Sequence, residues 1–157
     1  LETEVRGIWP GKAETLAETL RWVALARPLA GYYVRWAEHY GLRADVLWAQ
    51  MALETGDLAY GGQVRPSQNN FCGLKTTDGG GFASFPSVEA GVKAHVEHMA
   101  WYANPECVPG CGENDPRHLG PHGSNGWVEV VADLSGKWST SERYAENLVA
   151  RAGTLGL

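Results

Sequence analysis

Apolar residues recur along this chain at helical spacing, interrupted by one long polar stretch near the middle. Leu16, Leu20, Val23 and Leu25 or Ala26 form a stripe that predicts a helix over 13–27, which Pro28 ends or kinks. A second helix is expected over 29–40, stopped by Gly41. Residues 44–55 are apolar at almost every position, the mark of a helix buried on most faces, and Gly56 supplies its stop signal. The pattern then breaks. Residues 56–83 mix Gly with Asn, Gln, Ser and Thr, and only 71–85 offers a short hairpin, with Asp78-Gly79-Gly80-Gly81 as its turn. Ser87 fits the N-cap of a helix reaching Ala103. Val88, Val92, Val96, Met99 and Tyr102 form its apolar stripe, and Glu89, Lys93 and Glu97 are i, i+4 partners on its outer face. Residues 104–125 read as a long, Pro-containing loop, 127–134 as a short helix and 141–152 as the last helix. The expected fold class is mainly α with one small β element. It forms one domain over 1–157, with 1–12 as a polar lead-in.

The buried helix ends on a carboxylate. Leu47, Met51 and Glu54 lie at i, i+4 and i+7, so they share a face and Glu54 is expected where ionisation is costly. Its place in the last turn, beside the partial negative charge of a helix C-terminus, adds to that cost. Both effects raise a carboxyl pKa, as a general acid working near neutral pH requires. A structural Glu that caps a backbone N–H or pairs with an Arg fits the local sequence equally well.

Composition narrows the classes. Net charge is −5, from 13 basic and 18 acidic side chains, and no basic run appears, so no nucleic-acid partner is expected. No apolar run reaches transmembrane length. The chain opens on Leu1 without a signal peptide and reads as a processed product or an excised domain, so targeting says nothing of its location. Seven Trp and six Tyr suit either core packing or stacking platforms for a ligand; Trp101, Tyr102 and Trp138 are the groove candidates.

Other chemistries fit less well. Cys107, Cys111, His118 and His122 gather in one loop, but their middle spacing is not a standard zinc spacing. A Cys107–Cys111 disulfide or free thiols is the favoured reading, and no metal or cofactor is expected. His95 and His98 lie at i, i+3 of a helix, and His95, near the apolar stripe, reads as a packed, hydrogen-bonded core residue. Cys72 has no local signature of a nucleophile. A glycosidase normally needs two acids, and Asp57, Asp78 and Glu89 are the candidates beside Glu54.

One ordered set of residues points further. Ala49-Gln50 and Glu54-Thr55-Gly56, then Asn69-Asn70-Phe71-Cys72-Gly73-Leu74-Lys75, then Phe82-Ala83-Ser84-Phe85 and Val88-Glu89-Ala90-Gly91-Val92 with His95, occur in that order. Asp115-Pro116-Arg117, Leu134-Ser135-Gly136-Lys137-Trp138 and Tyr144-Ala145 complete it. The set resembles the endo-β-N-acetylglucosaminidase domain of bacterial and phage peptidoglycan hydrolases, over roughly residues 40–155. The resemblance implies a lysozyme-like helical fold with a small β-hairpin lobe and a long cleft. It implies Glu54 as the general acid, Tyr144 as the Tyr beside the acid and the substrate acetamido group, and Asn70 and Asp78 as site-shaping or substrate-binding residues. The implied partner is the glycan strand of peptidoglycan, met as a monomer outside the cell or at the wall, by an autolysin or an endolysin. Members often carry a longer hairpin with a second acid; here Asp78 is the sole acid between Phe71 and Phe85, which favours a mechanism assisted by the substrate's acetamido group. A muramidase, a lytic transglycosylase or a non-catalytic wall-binding module are the rival readings.

Overall fold

The computed structural model describes residues 16–104, 114–117 and 128–157, with the backbone alone for 16–26. The described residues are mainly helical: α1 (Leu16–His39), α2 (Ala44–Thr55), α3 (Val88–Ala103) and α4 (Tyr144–Leu155), with 3-10 turns at Pro66–Gln68 and Val131–Leu134. Helix α2 packs on both α1 and α4, and α1 also packs on α3. The core between them is built from Leu29, Tyr33, Leu47, Met51, Val92, Val96 and Leu148. No described helix is long and apolar enough to cross a membrane.

Pro28 does not divide the first helix, contrary to the expectation of two. α1 continues through it unbroken. An interior Pro costs about 3 kcal/mol. Here it sits on the exposed side, while Leu29, Tyr33 and Ala37, at i, i+4 and i+8, are buried together on the other. Burial of that stripe offsets the lost hydrogen bond. The last helix is also displaced. It starts at Tyr144 rather than Ser141 and runs past Ala152, because Gly153 is tolerated and Leu155 is buried; the left-handed Gly156 (φ +74°) then ends it. Of the short helix expected at 127–134, only the Val131–Leu134 turn forms within the described residues.

The expected hairpin lobe is reduced to a single antiparallel bridge, Lys75 with Phe82. Around it Thr76 N donates to Gly81 O at 2.9 Å and Ala83 N to Leu74 O at 2.8 Å. The next ladder bond would run from Leu74 N to Ala83 O. Asn70 occupies that position instead. Its Oδ1 accepts from Leu74 N (3.0 Å), while its Nδ2 donates to Ala83 O (3.0 Å) and Leu74 O (2.9 Å). A side-chain amide thus replaces part of the ladder, and pairing stops there.

Ser87 caps α3 as expected, its Oγ accepting from Ala90 N at 3.1 Å. One turn later Gly91 lies against the loop. A Cβ there would stand 1.8 Å from the Asn69 carbonyl oxygen and 3.2 Å from a Phe71 ring carbon. Gly→Ala inside a helix ordinarily stabilises by about 0.5–1 kcal/mol. We expect Gly91→Ala to do the opposite and destabilise by about 2–3 kcal/mol. The thermal midpoint should fall by about 5–10 °C; an unchanged or raised midpoint would show that the contact yields freely.

Candidate active site

Glu54 closes the last turn of α2, where the left-handed Gly56 (φ +58°) turns the chain away. It is exposed, not buried. The face shared with Leu47 and Met51 is buried only as far as the neighbouring helices reach, and Glu54 lies one turn beyond. The desolvation expected from the apolar pattern is therefore absent. What holds the carboxylate is hydrogen bonding. Tyr144 Oη donates to Glu54 Oε1 at 2.5 Å and Trp138 Nε1 donates to the same oxygen at 3.0 Å. Both donors converge on Oε1 and neither takes Oε2.

Tyr144 is buried at the start of α4. Burial, and then the charge of Glu54, push its phenol far above the ordinary range, so it stays a protonated donor. Its oxygen accepts from Gln50 Nε2 at 3.0 Å. Gln50 Oε1 stands 2.9 Å from His95 Nε2, and His95 Nδ1 stands 2.7 Å from Tyr33 Oη. His95 reads as a core residue from the sequence and is one, but it is also tied to the site. Burial, with His98 adding, lowers its pKa to about 3. The sign of the linkage follows. Unfolded His95 binds a proton below about pH 6.5 and folded His95 does not until about pH 3, so stability is full above pH 6.5 and falls as the pH drops through that window. We expect a loss approaching about 1.4 kcal/mol per pH unit from this residue alone. Denaturant melts from pH 7 to 4 should show a shallower slope in His95→Gln than in wild type.

Glu54 opens into a cleft of about 820 Å³. One wall is the 56–87 loop, represented by Tyr60, Gln63, Asn70, Cys72 and Lys75. The other is His98, Tyr102, Arg117, Trp138 and Tyr144. Among the described residues lining it, Glu54 is the single carboxylate. The candidate second acids lie elsewhere. Asp57 is ion-paired with Arg151, Glu89 is ion-paired with Arg35, and Asp78 Oδ1 accepts from Gly80 N in its own exposed turn. Tyr144 and Asn70 thus share the cleft with Glu54, and Asp78 is outside its lining. Asn70 is wholly buried, and its amide bonds the loop backbone at Leu74 and Ala83, so it shapes the wall. Tyr102 and Trp138 line the cleft; Trp101 does not, and stacks on His98 instead.

A second polar cluster stands on the α3 side. His98 Nδ1 lies 2.8 Å from Asp115 Oδ2, and the His98 ring meets Trp138 edge-on at 5.1 Å. The segment carrying Asp115 is held by Glu97, which is not on an outer face as expected but wholly buried. Its Oε2 accepts from Asn114 N (2.8 Å) and Asp115 N (2.9 Å), and its Oε1 from Tyr40 Oη and Asn114 Nδ2 (both 3.2 Å). Lys93 Nζ adds charge at 3.7 Å.

Cys72 is a buried free thiol, its pKa raised by burial and then by Glu54. Among the described residues no group of three or more His, Cys, Asp or Glu is placed to hold a metal. Cys107, Cys111, His118 and His122 lie outside the described residues. Three site residues received no role from the sequence. Gln50 carried a signal, being the one amide inside an apolar helix. His98 and Asp115 carried none, since their pairing spans an irregular segment.

Comparison with known proteins adds a family. The model described as Glucosaminidase, mannosyl-glycoprotein endo-beta-N-acetylglucosaminidase, matches residues 30–157. An "Uncharacterized protein" of Borreliella burgdorferi (strain ATCC 35210 / DSM 4680 / CIP 102532 / B31) is 35% identical over 112 residues, 69% of this chain and 52% of that protein. The chain spans about half the length of that curated relative. No solved structure matches.

Proposed function

Because the chain belongs to the endo-β-N-acetylglucosaminidase family, a family of glycoside hydrolases acting on glycans, we propose that it cleaves the glycan strand of peptidoglycan after N-acetylglucosamine, with Glu54 as the general acid. The observation that carries this is the carboxylate itself: the single one among the described cleft-lining residues, with two donors on Oε1. Oε2 is then the oxygen that carries the proton. That proton passes to the glycosidic oxygen as its bond to C1 breaks. With no second carboxylate among the described cleft-lining residues, the acetamido oxygen of the N-acetylglucosamine bonds C1 from the opposite face. Water then opens that intermediate, its oxygen bonding C1 and its proton returning to Glu54.

In this reading Tyr144 sits where it can touch both the acid and the acetamido group. Asn70 holds the facing wall, and Asp78 meets only a strand long enough to pass the loop tip. The four helices with a cleft at the end of the buried one fit a lysozyme-like architecture. The enzyme acts outside the cell on the wall, as an autolysin or an endolysin. Its net charge of −5 supplies no attraction to an anionic wall.

Mass spectrometry of digested peptidoglycan tests the bond. The expected product ends in a reducing N-acetylglucosamine. A reducing N-acetylmuramic acid would mean a muramidase, and an anhydro end a lytic transglycosylase.

A further inference from the structure

We infer that Gln50 and His95 are positioning residues, which fix the Tyr144 hydroxyl as a donor to Glu54 through one directional chain of hydrogen bonds. The inference rests on the reading of Glu54 as the acid. Its basis is that every link has a forced direction. With the acid's proton on Oε2, Oε1 has none to give, so at 2.5 Å Tyr144 must donate to it. Tyr144 has then spent its one hydrogen and can only accept from Gln50, which fixes the amide with its NH2 toward Tyr144. The Gln50 carbonyl is left facing His95, and a carbonyl can only accept, so His95 carries its proton on Nε2. The lone pair of Nδ1 then receives the Tyr33 hydroxyl. All four bonds point toward Glu54.

Reversing any link costs a contact. A flipped Gln50 would bring its carbonyl oxygen against Tyr144 Oη at 3.0 Å with no hydrogen between them. A protonated His95 would be a buried charge, and its depressed pKa of about 3 keeps it neutral where the enzyme works. Tyr33, Gln50, His95 and Tyr144 are all buried, so water does not compete for the links, and such chains polarise one another. Among the described titratable groups, Tyr144 on α4 and Cys72 on the loop act directly on Glu54, and Tyr60, Lys75, His98 and Arg117 line the same cleft.

The near-isosteric Gln50→Glu tests the direction. It keeps an acceptor for His95 but puts a second acceptor against Tyr144, which then competes with Glu54 for the Tyr144 proton. On soluble, peptide-free glycan strands, kcat should fall by about 10- to 100-fold while KM stays within about twofold. The basic limb of the kcat profile should move to higher pH, since any carboxylate that loses a hydrogen-bond donor has its anion less stabilised. Gln50→Met, which removes both links, should show the same loss. Tyr33→Phe keeps the ring in place and frees His95 to exchange tautomers, so it should lower kcat by about threefold to tenfold. A purely structural role would lower the melting temperature and leave the basic limb where it is. If the Gln50 variants fail to fold, Tyr33→Phe decides by the same readouts. Variants that match wild type in kcat and basic limb overturn this inference alone; a wild type that releases no N-acetylglucosamine-ended product overturns the reading beneath it.

Discussion

Glu54→Gln is expected to lower glycan cleavage by about 10²–10⁴-fold, the usual worth of a positioned general acid. The residue is exposed and ends its helix, so the substitution removes no core contact. The amide oxygen can still accept from Tyr144 and Trp138, as Oε1 does now. Stability should therefore stay within about 0.5 kcal/mol of wild type. Reducing ends released from purified peptidoglycan, read beside a thermal melt, separate the two effects. A variant that clears a cell-wall gel as well as wild type would remove Glu54 from the chemistry. A wild type that clears nothing would leave a wall-binding module.

The largest effect on stability is expected at Glu97, far from the acid. Its two oxygens take four hydrogen bonds, two of them from consecutive backbone N–H groups, and none of the carboxylate is exposed. Hydrogen bonds to a charged group are worth about 1.5–3 kcal/mol each, and donors left without a partner cost more than bonds never made. Glu97→Ala should thus destabilise by about 3–5 kcal/mol and lower the thermal midpoint by about 6–20 °C. The damage should be local first. Amide exchange at Asn114 and Asp115 should accelerate before that of α2, because Glu97 is what holds those amides. Activity should drop as well, since Asp115 carries the hydrogen bond that orients His98 in the cleft wall. Uniform exchange across the chain would show instead that Glu97 serves the core at large.

What the sequence made legible was whatever short-range periodicity encodes. The helical character, the Ser87 cap, the Gly56 stop and the ordered motifs from Glu54 to Tyr144 were all readable. What was not readable depended on distant partners. Pro28 reads as a break until Leu29, Tyr33 and Ala37 are seen packed. Glu97 reads as one end of an exposed i, i+4 pair, because its real donors come from residues 40, 114 and 115. Glu54 reads as buried because periodicity cannot say where a neighbouring helix stops. The resemblance marks Asn70 as site-shaping or substrate-binding, but not that its amide is stitched into the bridge between Leu74 and Ala83.

Tyr33, Gln50, His95 and Tyr144 come from α1, α2, α3 and α4 in turn. The support of Glu54 is therefore divided among all four described helices, and no fragment lacking one of them holds it complete. A nascent, nicked or partly melted chain would present Glu54 without its oriented donor. If the substrate is the cell wall, as proposed above, competence then arrives only when the last described helix docks, and heat should extinguish glycan cleavage at the first helix to detach rather than at global unfolding.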